Sequence, residues 1–179
     1  MEIKRIGEVM IPIDKYPHVN DSCTLCEAIK IMEQSALSMF GRKSLPRVLL
    51  VFDADEKLEG ILRRRDILRG LEPHFLVSKP LEYRKKLFDV KIDPNLSELS
   101  FDKVIKGIKE NANRTVKEVM QPIIMTVDYD DRIMKAIYEM VDNNLSLLPV
   151  LKNDEVVGVV RSVELLREAA DLLFSEEED

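Results

Sequence analysis

An internal duplication is the feature that most constrains what this chain folds into. The stretch GILRRRD (60–66) and the stretch GVVRSVE (158–164) carry one skeleton: glycine, two aliphatic residues, arginine, two variable residues and a carboxylate. The match extends outward. RIGEVMIP (5–12) aligns with TVKEVMQP (115–122), and TLCEAIKIM (24–32) with RIMKAIYEM (132–140). The same landmarks occur twice in the same order, with the offset between copies shrinking from 110 to 108 and then to 98 residues. The first half therefore holds extra residues, two around IDKYPH (13–18) and about ten around LSMFGRKSLPR (37–47). Insertions of this kind are expected in loops.

Within each half the periodicities define the elements. Thr24 followed by Glu27 is a capping box, and Leu25, Ala28, Ile29 and Met32 form the i, i+3, i+4, i+7 stripe of an amphipathic helix. Ile133, Ala136, Ile137 and Met140 repeat the stripe, with Asp131 as the expected N-cap. Two aliphatic runs separated by a polar turn follow each helix, RVLLVFD and LEGILR in one half, SLLPVLK and VVGVVR in the other. These predict strand, turn, strand. DILRGL, ending near Gly70 and Pro73, and SVELLREAADLLF then predict a second helix in each half. A three-stranded sheet covered on one face cannot bury its other face alone, so the two halves are expected to pack together about a pseudo-twofold axis. The division is a first repeat at 1–72, a connector at 73–114 and a second repeat at 115–179. The connector carries Pro73, Pro80 and Pro94, the basic run YRKKLFDVK, and a helix over FDKVIKGIKENA with Val104, Ile105 and Ile108 facing inward.

Composition narrows the function. The 179 residues are 45% hydrophobic and 34% charged, with no apolar run near membrane-spanning length and no apolar leader in MEIKRIGEVM. A cytoplasmic protein with no membrane partner is expected. A net charge of −6 disfavours nucleic acid, since polyanion binding needs a segregated basic face. Cys23 and Cys26 have the spacing of a redox pair or half a zinc site, but no second cysteine pair completes it, and His18 and His74 stand at no ligand spacing to them. GRKS (41–44) lacks the glycine spacing of a phosphate-binding loop. No G-x-G-x-x-G, HExxH or nucleophile paired with histidine is present, so catalysis is not expected. Met10, Met32, Met120 and Met140 read as core filler.

The two VM-x-P segments, the helix entered by TLCEA and the closing Gly-h-h-x-x-x-acid resemble the halves of a CBS-domain pair, the regulatory module named after cystathionine beta-synthase. The resemblance covers nearly all of the chain outside the connector. It implies an α/β (α+β) fold of two tandem repeats, each a small sheet with two helices. It also implies clefts between the repeats that take adenosine-containing ligands such as AMP, ADP, ATP or S-adenosylmethionine, with no cofactor required. By the same resemblance Asp66 takes the place of the ribose-binding acid in the first repeat and Glu164 in the second. Arg63 and Arg161 stand where the family carries a hydroxyl residue. A homodimer acting on a separate effector protein is implied as well.

Elementary chemistry agrees with part of this. A carboxylate accepts two hydrogen bonds from vicinal hydroxyls, and an arginine offers phosphate a bidentate, charge-assisted contact. The residues also admit a local reading, in which Asp66 caps its helix and the arginines end their strands in solvent. Three functions follow: a nucleotide-sensing regulatory module; a ligand-free pair serving dimerisation or docking; and a small nucleic-acid-binding regulator whose basic runs are Arg63–Arg65 and Arg84–Lys86.

Overall fold

The computed structural model describes residues 3–35, 37–39, 42–73 and 101–174. The basic run at 83–91 and the tail at 175–179 lie outside them. The first repeat runs α1 (Ile6–Val9), β1 (Ile11–Pro12), a 3-10 turn (Ile13–Lys15), β2 (His18–Asn20), α2 (Leu25–Gln34), β3 (Leu37–Met39), β4 (Arg42–Ser44), β5 (Val48–Phe52), β6 (Leu58–Arg63) and α3 (Arg64–Leu71). After α4 (Phe101–Asn111) the second repeat runs a 3-10 turn (Val116–Glu118), β7 (Gln121–Pro122), β8 (Val127–Asp128), α5 (Ile133–Asp142), β9 (Leu147–Lys152), β10 (Glu155–Arg161) and α6 (Ser162–Phe174).

Local chemistry sets these boundaries. At the start of α2 the Glu27 N–H donates to the Thr24 hydroxyl at 3.3 Å, while the Glu27 carboxylate accepts the Thr24 N–H at 2.9 Å. These bonds hold that carboxyl below its ordinary range. The start of α5 differs from expectation. Its N-cap is Arg132, and Asp131 instead accepts the Asp128 N–H at 2.9 Å and pairs with Lys135 at 2.7 Å, one turn into the helix. Between β9 and β10, Asn153 and Asp154 both take positive φ, 52° and 64°, the signature of a tight hairpin turn. The long insertion of the first half is more than a loop: β3 and β4 pair antiparallel as a hairpin.

The two sheets are where the structure departs most from the sequence reading. Each has four strands, in the orders β2-β5-β6-β7 and β1-β10-β9-β8. One strand of each sheet comes from the opposite repeat. Pro12 of β1 lies across Gly158 of β10, and Pro122 of β7 lies across Gly60 of β6. The exchange includes the turns before these strands. Ile6 and Gly7 donate backbone hydrogen bonds to Asp131 and Tyr129, and Val116 and Lys117 do the same to Cys23 and Asp21, at 2.7–2.9 Å. The Ile6 and Val9 side chains are buried in the second repeat's core with Ile133, Leu148 and Val160; Val116 is buried in the first with Leu25, Leu49 and Leu62. A third cluster, including Ile11, Val48, Leu50, Leu147 and Val159, joins the two sheets. Identical pairings in both sheets are the relation a pseudo-twofold axis imposes.

The α4 helix forms where the sequence places it, yet none of its residues is buried. Val104 and Ile105 are half-buried and Ile108 is exposed, alongside the exposed Lys103, Lys106 and Lys109. The expected inward packing is therefore incomplete. Its C-terminal end is well anchored: the Asn111 amide donates to the carbonyls of Leu71 and Glu72, and the Leu25 and Cys26 N–H groups donate to Arg114 and Ala112.

The motif glycines are set by the exchange. A Cβ on Gly60 would lie 2.5 Å from the Gln121 carbonyl oxygen, and one on Gly158 would strike the Ile11 carbonyl oxygen. Backbone of a paired strand cannot retreat without breaking its ladder. Gly60→Ala and Gly158→Ala are each expected to destabilise the chain by about 1–3 kcal/mol. Urea unfolding followed by circular dichroism checks this, and a midpoint equal to wild type would show that the exchanged strand gives way.

Candidate functional site

Arg63 is the last residue of β6 and the N-cap of α3, with extended backbone (φ −90°, ψ 156°), and Asp66 sits in that helix's first turn. The turn folds the acid back onto the arginine. Asp66 Oδ2 accepts the Arg63 backbone N–H at 3.1 Å and Nε at 2.7 Å, and Oδ1 accepts Nη2 at 2.9 Å. Gln121 of the opposite repeat approaches Oδ1 with its amide at 3.5 Å. The Asp66 side chain is fully buried while that of Arg63 is 38% exposed. A buried carboxylate is tolerable when paired and hydrogen-bonded like this. In return it holds the Arg63 guanidinium above its ordinary pKa.

The second repeat builds the same pair from a longer acid. Arg161 Nε donates to Glu164 Oε2 at 2.8 Å, and Nη2 pairs with Oε1. Here both partners are largely buried, at 13% and 3% side-chain exposure. The four residues singled out in the sequence thus meet as two local pairs, one per repeat. Neither sequence reading holds unchanged. Asp66 is not the N-cap; it serves the cap from the third helical position. Nor does its carboxylate stand open to a cleft, because the arginine that replaces the family's hydroxyl residue reaches back and covers it.

The pseudo-twofold relation gives the shared core two equivalent cleft positions. The first has a volume of about 150 Å³, with Ile61 and Arg63 of β6, Gln121 and Pro122 of β7, and Leu147 and Pro149 of β9 in its walls. Strand register identifies its counterpart. Val48 pairs with Arg63 as Leu147 pairs with Arg161, so Val48, Leu50, Ile11 and Val159 line the second cleft in the positions of Leu147, Pro149, Gln121 and Ile61. That space is filled. Tyr16 is 2% exposed there and belongs to the cluster of Ile11, Val48, Leu50, Leu147 and Val159. Its hydroxyl donates to the Val48 carbonyl at 2.8 Å. Burial pushes the phenol well above its ordinary pKa, Arg161 opposes that rise and Glu164 adds to it. Tyr16 was not among the residues flagged from the sequence; the two-residue excess around IDKYPH was its signal.

A sequence-family comparison assigns the repeats directly: the model for the CBS domain matches residues 6–73 and 116–171. The chain belongs to the CBS-domain family. No curated protein sequence matches it. Among solved structures, it is similar to the CBS domain of a CBS domain-containing membrane protein from Sphaerobacter thermophilus, at 21% identity and a TM-score of 0.61 over 91% of this chain and 86% of that one. It is likewise similar to the CBS-pair protein CBSX2 from Arabidopsis thaliana, at 16% identity and a TM-score of 0.64 over 96% and 98% of the two chains. CBSX2 has also been solved in complex with AMP, a structure that matches with a TM-score of 0.61 at 16% identity over 94% and 98%. At these identities the likeness speaks for the fold.

CBS pairs are regulatory modules. Among the described residues no group of three or more His, Cys, Asp and Glu is placed to hold a metal, and no helix is long and apolar enough to cross a membrane. Burial, then the nearby Glu27, pushes the Cys23 thiol up to about 11, leaving little thiolate at neutral pH. Cys23 is half-buried and Cys26 exposed. Iodoacetamide at pH 8 is therefore expected to alkylate Cys26 well before Cys23, which peptide mass spectrometry at successive times reads out. Equal rates would contradict the environment described for Cys23.

Proposed function

We propose that this CBS pair is a ligand-sensing regulatory module that takes an adenosine-containing nucleotide in its first cleft and acts on a separate effector protein. The observation that carries the reading is an open apolar cleft with a half-exposed arginine in its wall. At about 150 Å³ the cleft is smaller than the roughly 300–1,000 Å³ of a site enclosing a whole drug-sized ligand. It suits the base alone, leaving sugar and phosphate at the mouth. Arg63 then meets the phosphate, the group for which a planar guanidinium is the best side-chain partner. Asp66 acts through Arg63: its carboxylate accepts two hydrogen bonds from the guanidinium, at Nε and Nη2, and holds it in place. The AMP complex of CBSX2 supports the choice of ligand class.

The proposal includes a homodimer. Met134, Tyr138 and Val141 on α5 and Leu166 and Leu173 on α6 are all more than half exposed, an apolar burden that a helix-to-helix interface would relieve. A second reading, a pair that binds no ligand and serves docking, draws on the closed state of both arginine–acid pairs.

Calorimetric titration of AMP and adenosine separates these. Arg63→Ala is expected to lower AMP affinity more than tenfold, the loss of a charge-assisted contact of about 1.5–3 kcal/mol, with adenosine within twofold of wild type. Asp66→Ala is expected to show the same pattern more weakly. If Asp66→Ala costs adenosine as much as AMP, the carboxylate serves the ribose, as the family resemblance implies. Absence of AMP binding by the wild-type chain would overturn the nucleotide reading in favour of docking.

A further inference from the structure

The two insertions that distinguish the first repeat converge on one place. The shorter one spans six residues from Ile13 to His18, where the second repeat has four, and it delivers Tyr16 into the second cleft. The longer one holds the β3–β4 hairpin, and the last residue of β4, Ser44, meets Arg161 at that same cleft, with Oγ 3.4 Å from Nη1. The first cleft receives neither. The segment of the second repeat that corresponds to Ile13–His18 is IIMT (123–126), and its Ile123, Ile124 and Met125 border an open space.

The two arginines record the difference. Arg63, beside the open cleft, keeps 38% of its side chain exposed, while Arg161, beside Tyr16 and Ser44, keeps 13%. A guanidinium covered on one side by its own carboxylate and on the other by the chain has no room for a phosphate. The Tyr16 ring also fits the cleft as an aromatic ligand would: apolar residues of both sheets surround it, and its one polar atom is satisfied by a backbone carbonyl.

We infer that Tyr16, backed by the Ser44 end of the hairpin, is a built-in occupant of the second cleft, so that the chain takes one nucleotide, at Arg63, and not the two its duplicated motif would allow. This rests on the nucleotide reading above and adds the stoichiometry, the address and the residue that sets them. A ring anchored by a neighbouring strand competes as part of the same molecule, and a free ligand cannot displace it without unpacking the shared core.

AMP is the probe, and calorimetry on the full chain counts sites. Wild type and Tyr16→Phe, which keeps the ring, are expected to bind one AMP per chain, and Tyr16→Ala two, with cooperative thermal unfolding confirming that each variant is folded. Photo-crosslinking of the wild type with 8-azido-AMP needs no variant, and it should label peptides holding residues 121–125 and leave residues 11–16 unlabelled. Two AMP per wild-type chain, label on residues 11–16, or a folded Tyr16→Ala that still binds one would each overturn the inference while leaving the nucleotide reading intact. No AMP bound by either wild type or Tyr16→Ala would overturn both.

Discussion

Everything in this fold hangs on two short strands that lie in the wrong repeat. Ile11–Pro12 and Gln121–Pro122 each complete the sheet of the opposite half, and the turns before them plug the opposite core. A β-strand left at a sheet's edge presents unsatisfied N–H and C=O groups; here the partner repeat satisfies them. The exchange explains why the two signature motifs occur together. Gly60 and Gly158 lack a side chain because a foreign strand crosses them, and the VM-x-P segments are those strands. What reads in the sequence as two separate landmarks per half is one junction seen from its two sides.

The arginines that follow those glycines convert a potential ligand contact into an internal one. With arginine at that position the helix's acid is paired and neutralised in place. The motif thus contributes to folding before any ligand arrives. The pairing also couples the cleft wall to the start of α3 and, in the second repeat, α6, since the same residue ends the strand and opens the helix.

Much of this was legible in the sequence, for identifiable reasons. Duplication showed that the chain holds two repeats, aliphatic runs between polar turns marked β5, β6, β9 and β10, and the Thr24–Glu27 box marked the start of α2. The exchange was not legible, because two-residue strands carry no periodicity and nothing in VMIP says which sheet receives it. The pairing of Arg63 with Asp66 was within reach: a spacing of three across a helix start brings the side chains together. The family resemblance points both residues toward a ligand instead. Tyr16 was missed because a lone aromatic in a short polar insertion looks like surface, and only the register of the opposite sheet shows where it points. The periodicity of α4 reports amphipathicity but not what, if anything, lies opposite its apolar face.

Strand exchange has a cost that appears during synthesis. The β6 edge of the first sheet waits for β7, which lies about 60 residues further along the chain, so at roughly 5–20 residues per second the ribosome leaves that edge unpaired for several seconds. The second sheet, by contrast, finds its missing strand already made at the N-terminus. A nascent first repeat therefore passes through an interval in which Leu58–Arg63 is open to any passing strand, a neighbouring copy on the same message included. The polar and charged residues near that edge, among them Glu59 and the arginines at 63–65, are well placed to keep such partners away until the chain's own arrives.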